Sequence, residues 1–211
     1  MSAAPSPPVS APAGAACLVQ RLEPGLAMIS STGANVLVSH GDDGTYVLDC
    51  SLANSTDVLL REIAAIAEKP IRLLVTTHWH HDHTGGNERF GQNGVPILAH
   101  AATRERMAYE QYLGPLEMRI PAAPPAARPT LTFEGSMKIH ANGDTVRLIH
   151  LPGAHTDGDL VAFWEAANVL LAGDFYVPEE DLPFVDYDAG GNFCGFIDAV
   201  ETLIELCDDH T

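Results

Sequence analysis

Residues 76–87 read TTHWHHDHTGGN, and this stretch limits what the chain can fold into more than any other. Four histidines and an aspartate fall within six positions, two glycines follow, and the apolar run IRLLV precedes them. A short, β-rich apolar run reads as a buried strand, so the imidazoles emerge at a strand end, where a tight loop can draw side chains together. Neutral imidazole and carboxylate are good zinc ligands, and three or four must converge with one position open if the metal is to act on a substrate. In the pattern HxHxDH, alternation sends His78 and His80 toward one metal while Asp82 and His83 reach a neighbouring position. Gly85 and Gly86 are expected to let the chain turn sharply beside the site.

Around that loop the patterns switch between periods of two and 3.6. GLAMISS and ANVLVSHGDDGTYVLDC read as strands with a hairpin turn at 41–44. Leu59, Ile63 and Ile66 share a helical face, Ser55 or Thr56 offers the N-cap, Asp57 sits in the first turn, and Pro70 stops the helix. VPILAH is a further strand, AATRERMAYEQY a helix, and the proline-rich stretch 114–129 a loop. TLTFEG, MKIHANGDTVRLIHLP, LVAFWE and NVLLAGD form a series of strands, with Asn142 and Gly143 marking a hairpin. Phe196, Val200, Leu203 and Cys207 mark one face of a last helix. At 211 residues this is one core of mixed α/β topology.

Charge narrows the partners. Eleven basic against 28 acidic residues leave a net charge of −17, which disfavours nucleic acid and anionic membrane surfaces, and no apolar run approaches spanning length. An anionic substrate stays compatible, because bound cations dominate the field near a site. Cys17, Cys50, Cys194 and Cys207 show no CxxC pairing and read as separate thiols, with one disulfide as the alternative. Residues 1–16, rich in Pro, Ala and Ser, lack the basic and apolar regions of an intact export signal and read as a disordered tail. A periplasmic or secreted location is expected if such a signal has been removed, and a cytoplasmic one otherwise.

Three further motifs join the cluster: VLDCS with Asp49, PGAHTDGD with His155 and LLAGDF with Asp174. In this order, each after a strand, they resemble the metallo-β-lactamase fold superfamily of metallohydrolases, over nearly all of residues 26–211. The resemblance implies an α/β (α+β) fold, an αββα sandwich of two mixed β-sheets flanked by helices, with the metal site at one edge. It implies His78, His80 and His155 on a first metal, Asp82 and His83 on a second, and Asp174 bridging the two. Asp49 reads equally as a residue that orients the histidines or as a strand-end turn residue. His81 occupies a variable position and is expected to point away; His40, His100, His140 and His150 lack ligand spacing. Trp79 either lines the cleft or, preferably, packs beneath the loop.

The same resemblance implies a zinc-dependent hydrolase in which a metal-bound hydroxide attacks a carbonyl carbon, metal binding having brought the pKa of water to about 7. Asp82 would be catalytic, orienting that hydroxide and shuttling its proton. Two zinc ions are expected in a complete site, with iron or manganese compatible; His80 stands where the oxygen-reducing di-iron branch carries glutamate. The expected substrate is a small molecule with a hydrolysable carbonyl, a β-lactam first, with a thioester of the glyoxalase II type or a lactone as alternatives. The family pattern also has a histidine from a GHG-type loop on the second metal, and here only His210, in CDDHT, follows His155. A domain over 17–211 that lacks the C-terminal part of the pattern is therefore expected, and a metal-binding protein without catalysis is the competing reading.

Overall fold

Side chains that alternate between two apolar layers build the larger sheet. The structure, a computed structural model, describes residues 17–30, 33–177 and 182–211, so the expected tail at 1–16 lies outside the described residues. The first four strands are β1 (Leu18–Glu23), β2 (Leu26–Ser30), β3 (Val36–Gly41) and β4 (Gly44–Leu48), followed by helix α1 (Thr56–Ile66). Next come β5 (Ile71–Val75), α2 (His81–Thr84), α3 (Asn87–Gln92), β6 (Ile97–His100) and α4 (Ala101–Met107). The short strands β7 (Gln111–Leu113), β8 (Met118–Ile120) and β9 (Leu131–Phe133) lead into β10 (Ser136–Ala141), β11 (Asp144–His150), β12 (Leu160–Trp164) and β13 (Val169–Leu171). Helix α5 (Phe193–Leu206) is the last element.

One sheet has seven strands in the order β1-β2-β3-β4-β5-β6-β9, antiparallel up to β4 and parallel beyond it. The second, β10-β11-β12-β13, is antiparallel throughout. Leu37, Leu48, Val75 and Leu98 point from the first sheet into a core shared with Val146, Leu148, Leu160 and Trp164 of the second. Their neighbours Val36, Val38, Val47, Leu74 and Ile97 point the other way, against Leu59 and Ile63 of α1 and Phe90 of α3. On the outer face of the second sheet, Val161 packs with Ala199 and Leu203 of α5. The expected αββα sandwich is thus present. Because the side-chain period is two, a one-residue slip of any central strand would exchange these layers, at about 1.5–3 kcal/mol for each large side chain lost from burial.

Three local expectations change. Helix α1 starts at Thr56 without a side-chain cap; the Thr56 hydroxyl instead donates to Ala53 O at 3.0 Å, and the helix ends four residues short of Pro70. The helix expected over 101–112 stops at Met107, and β7, which takes the end of that span, pairs with β8 inside the stretch expected as loop. Burial of Leu113 against Trp79 and Met107 outweighs the local helical pattern there. Strand β1 escapes sequence reading because it is an edge strand whose residues are all exposed or half-buried, which leaves no alternating apolar signal. Among the described residues, no helix is long and apolar enough to cross a membrane.

The fold brings four chain segments to one edge of the sandwich. Residue 49 follows β4, residues 76–84 follow β5, the loop 151–159 joins β11 to β12, and residues 172–174 follow β13. Leu160 N donates to Thr77 O at 2.9 Å, tying the two sheets together at that edge.

Candidate metal centre

His78 lies in the bend that follows β5, His80 ends that bend in extended backbone, and a single helical turn, α2, then presents Asp82 and His83. The turn, rather than strand alternation, separates the two donor pairs. It is held where Thr84 N and the Thr84 hydroxyl donate to His80 O at 3.0 and 2.9 Å. Gly85 and Gly86 have ordinary right-handed φ of −58° and −81°, so they are not needed for a sharp turn. Their missing side chains matter for a different reason: a Cβ on Gly85 would lie 2.7 Å from Ser51 O, and one on Gly86 would lie 2.8 Å from Cys50 O. The glycines let the histidine loop press against the segment after β4.

Three imidazoles converge in a buried nest. His80 Nδ1 lies 3.0 Å from His78 Nε2 and 2.9 Å from His155 Nε2, and the last two are 3.3 Å apart. The outer nitrogens fix which atoms carry protons. His155 Nδ1 lies 2.8 Å from Phe184 O and His80 Nε2 lies 3.0 Å from Asp186 Oδ2, and both partners only accept. The Thr77 hydroxyl donates to Asp49 at 2.8 Å and so accepts from His78 Nδ1 at 3.2 Å. In the neutral rings, three lone pairs therefore face one another across about 3 Å. Burial, with the neighbouring imidazoles adding to it, pushes the pKa of His78 well below its ordinary value; burial lowers that of His80 against the opposing pull of Asp186. Three buried imidazole nitrogens that face one another are an arrangement that a bound cation satisfies, so the donor set fits a metal ion.

Asp174 joins this nest to a second group. Its Oδ2 lies 3.4 Å from His155 Nε2 and 3.8 Å from His78 Nε2, while Oδ1 lies 3.0 Å from His83 Nε2. Asp82 Oδ2 stands 3.6 Å from the same His83 nitrogen. The groups His78, His80, His155, Asp174 and Asp82, His83, Asp174 each bring one ligand atom per residue within 4.8 Å of one another, so each could hold a metal ion. Burial disfavours charge on His83, but Asp49 on one side and Asp174 on the other outweigh it and raise its pKa well above the ordinary value. Burial likewise works against charge on Asp174, and the His83 ring overcomes it, holding that carboxyl below the usual carboxylate range.

All six residues expected as ligands thus come together, and Asp49 satisfies both of its readings. It sits in left-handed backbone with φ 62° and accepts from Thr77 N at 2.8 Å. His81 belongs to neither donor group, and neither does His210 among the described residues. His100 and His150 stack on each other with centroids 3.6 Å apart, away from the centre. Trp79 packs beneath the loop with Met107, Leu113 and Ala189. Cys17, Cys50, Cys194 and Cys207 are free. Sequence reading missed Asp186 and Phe184, which bind the outer nitrogens of two of the histidines from a segment without regular structure.

Beside Asp174 and His83 lies a trough of about 600 Å³ between the edges of the two sheets, walled by Leu22, Met28, Leu37, Val169 and Leu171. Asp82 and Asp174 are about one-third exposed and face this open side, whereas the three clustered imidazoles are buried.

The sequence profile of the Metallo-beta-lactamase superfamily matches residues 32–209. Among curated proteins, the chain is similar to acyl-coenzyme A thioesterase MBLAC2 of Gallus gallus, 25% identical over 197 residues, covering 85% of this chain and 69% of the relative. The Homo sapiens protein of the same name is 24% identical over 203 residues, covering 85% and 70%. Among solved structures, a metallo-beta-lactamase from Pontibacter korlensis aligns with a TM-score of 0.69 at 20% identity, covering 90% of this chain and 86% of that one. A Cronobacter sakazakii metallo-beta-lactamase aligns with a TM-score of 0.69 at 20% identity, covering 88% and 73%. With its profile match spanning nearly the whole sandwich and its clustered histidines and aspartates at the sheet edge, the chain belongs to the metallo-beta-lactamase superfamily of hydrolases.

Proposed function

We propose that this protein is a zinc-dependent hydrolase of a small-molecule thioester, working with two ions that share Asp174. The observation that carries this reading is the convergence of His78, His80 and His155 on one point, with Asp174 reaching both that point and His83. Bound zinc would supply Lewis acidity for the carbonyl and bring the pKa of water to about 7. Asp82, half-buried and beside His83, accepts a proton at Oδ2 from water in the cleft. Asp49 and Thr77 hold His83 and His78 in register, and the buried Trp79 and the half-buried Phe184 pack against the His80 ring.

Two features favour a thioester over the β-lactam that the sequence motifs suggest first. The apolar trough that opens at Asp174 suits an acyl chain, and the similar vertebrate proteins bear the name of acyl-coenzyme A thioesterases. The test is hydrolysis by the zinc-loaded protein of a long-chain acyl-coenzyme A, a chromogenic cephalosporin and an acyl-homoserine lactone in parallel. Thiol release from the acyl-coenzyme A, lost on chelation and in His155→Ala, is the expected result. Cleavage of the cephalosporin alone would restore the β-lactam reading, and no turnover by a protein holding zinc would establish the non-catalytic one.

A further inference from the structure

We propose that Asp186 is a positioning residue that keeps the metal-facing nitrogen of His80 unprotonated and, through its backbone, holds His155 opposite it. This rests on the metal-centre reading above. His80 differs from its two companions: His78 and His155 turn Nε2 inward, whereas His80 turns Nδ1 inward. Its Nδ1 lies 2.9 Å from His155 Nε2 and 3.0 Å from His78 Nε2. A proton on Nδ1 would therefore gain a hydrogen bond inside the nest and take the place of a cation there. That tautomer would close the nest to a metal ion.

Asp186 opposes it. Its side chain is fully buried, Oδ2 lies 3.0 Å from His80 Nε2, and Oδ1 accepts from Ala189 N at 3.1 Å. Moving the His80 proton to Nδ1 would leave Oδ2 facing a lone pair with no water to turn to, and an unsatisfied buried carboxylate oxygen is costly. The proton therefore stays on Nε2, and Nδ1 keeps its lone pair for a cation. The same residue also reaches the opposing ligand: Asp186 N donates to His155 O at 2.9 Å, and two residues earlier Phe184 O accepts from His155 Nδ1 at 2.8 Å. Gly191 N donates to Asp186 O at 2.8 Å and closes the turn; a Cβ on Gly191 would lie 2.8 Å from Ala154 O, so only glycine lets this segment lie against the His155 backbone. One short segment thus grips two of the three imidazoles from behind.

The test is imidazole ¹H–¹⁵N NMR on the metal-free protein at about pH 8, well above the ordinary histidine pKa of about 6.5, with zinc affinity measured by chelator competition. In the native chain, His80 should carry its proton on Nε2; finding it on Nδ1 overturns the proposal without any variant. In Asp186→Asn, Ala189 N keeps the amide oxygen in place, so the amide NH₂ turns to His80 Nε2. The proton should move to Nδ1, and zinc affinity should fall about 10–100-fold. A folded Asp186→Asn with an unmoved proton or unchanged zinc affinity also overturns the proposal. Because the proton position is read without metal or substrate, an absence of hydrolysis would count against the hydrolase reading and leave this one standing.

Discussion

Asp49 and His83 form a fully buried pair: the carboxylate Oδ2 lies 2.8 Å from the ring Nδ1, which turns Nε2 toward Asp174 3.0 Å away. The pair depends on left-handed backbone at Asp49, φ 62°, which swings the carboxylate from the end of β4 under the loop after β5. Asp49→Asn removes the charge that fixes the ring. We expect affinity for the ion held by Asp82, His83 and Asp174 to fall about 10–100-fold, while the ion held by His78, His80 and His155 is retained. Zinc titration against a competing chelator checks this; equal loss at both sites would contradict it.

Metal removal should lower stability, because the clustered donors are brought together only in the folded chain. At a free zinc concentration 100 times the dissociation constant, binding adds about 2.7 kcal/mol, which for a chain of this size raises the melting temperature by about 5–10 °C. Thermal melts with zinc and with excess chelator measure the difference. Coincident melts would contradict a folded-state site.

Gly85→Ala should destabilise the protein although its backbone is ordinary helix. The added methyl meets Ser51 O and Leu52 C, each at 2.7 Å, so the loop must lift from the segment after β4. Overpacking of this kind costs about 1–3 kcal/mol. Urea unfolding of the variant reads the cost, and a neutral effect would show that the approach is looser than the geometry indicates.

Acidification should weaken the joint between the sheets where His100 stacks on His150. Burial, and next the neighbouring His150, lower the His100 pKa, against Glu134 and Asp157, which raise it. The folded chain therefore refuses a proton that the unfolded chain takes up near its ordinary value of about 6.5. The stabilising contribution is complete above that pH and is lost as pH falls below it, since the unfolded state then binds more protons. His100→Asn keeps a side chain able to accept from Ala102 N, as His100 Nδ1 does, without the titration. Its unfolding free energy should change less between about pH 7.5 and 5.5 than that of the native chain; an equal change would contradict the assignment.

The parts of the site legible in the sequence were those close together along it. His78, His80, Asp82 and His83 announce themselves because one turn must supply several ligands. His155 and Asp174 are single residues in ordinary turns and stood out only through their order and their resemblance to a family pattern. Asp186 was invisible, since its partner His80 is 106 residues away and a lone aspartate carries no spacing. The same division holds for the fold. Strands β3 to β6 alternate between two buried layers and were readable, whereas the exposed β1 and the β7–β8 hairpin owe their form to partners that no local pattern records.

The central claim, that two donor groups share Asp174 around a pair of zinc ions, is tested most directly by anomalous diffraction from crystals grown with zinc. Two anomalous peaks are expected, one touching His78, His80 and His155 and the other touching Asp82 and His83, with Asp174 in contact with both. Zinc absent from the three imidazoles, or bound only elsewhere on the chain, would contradict the account.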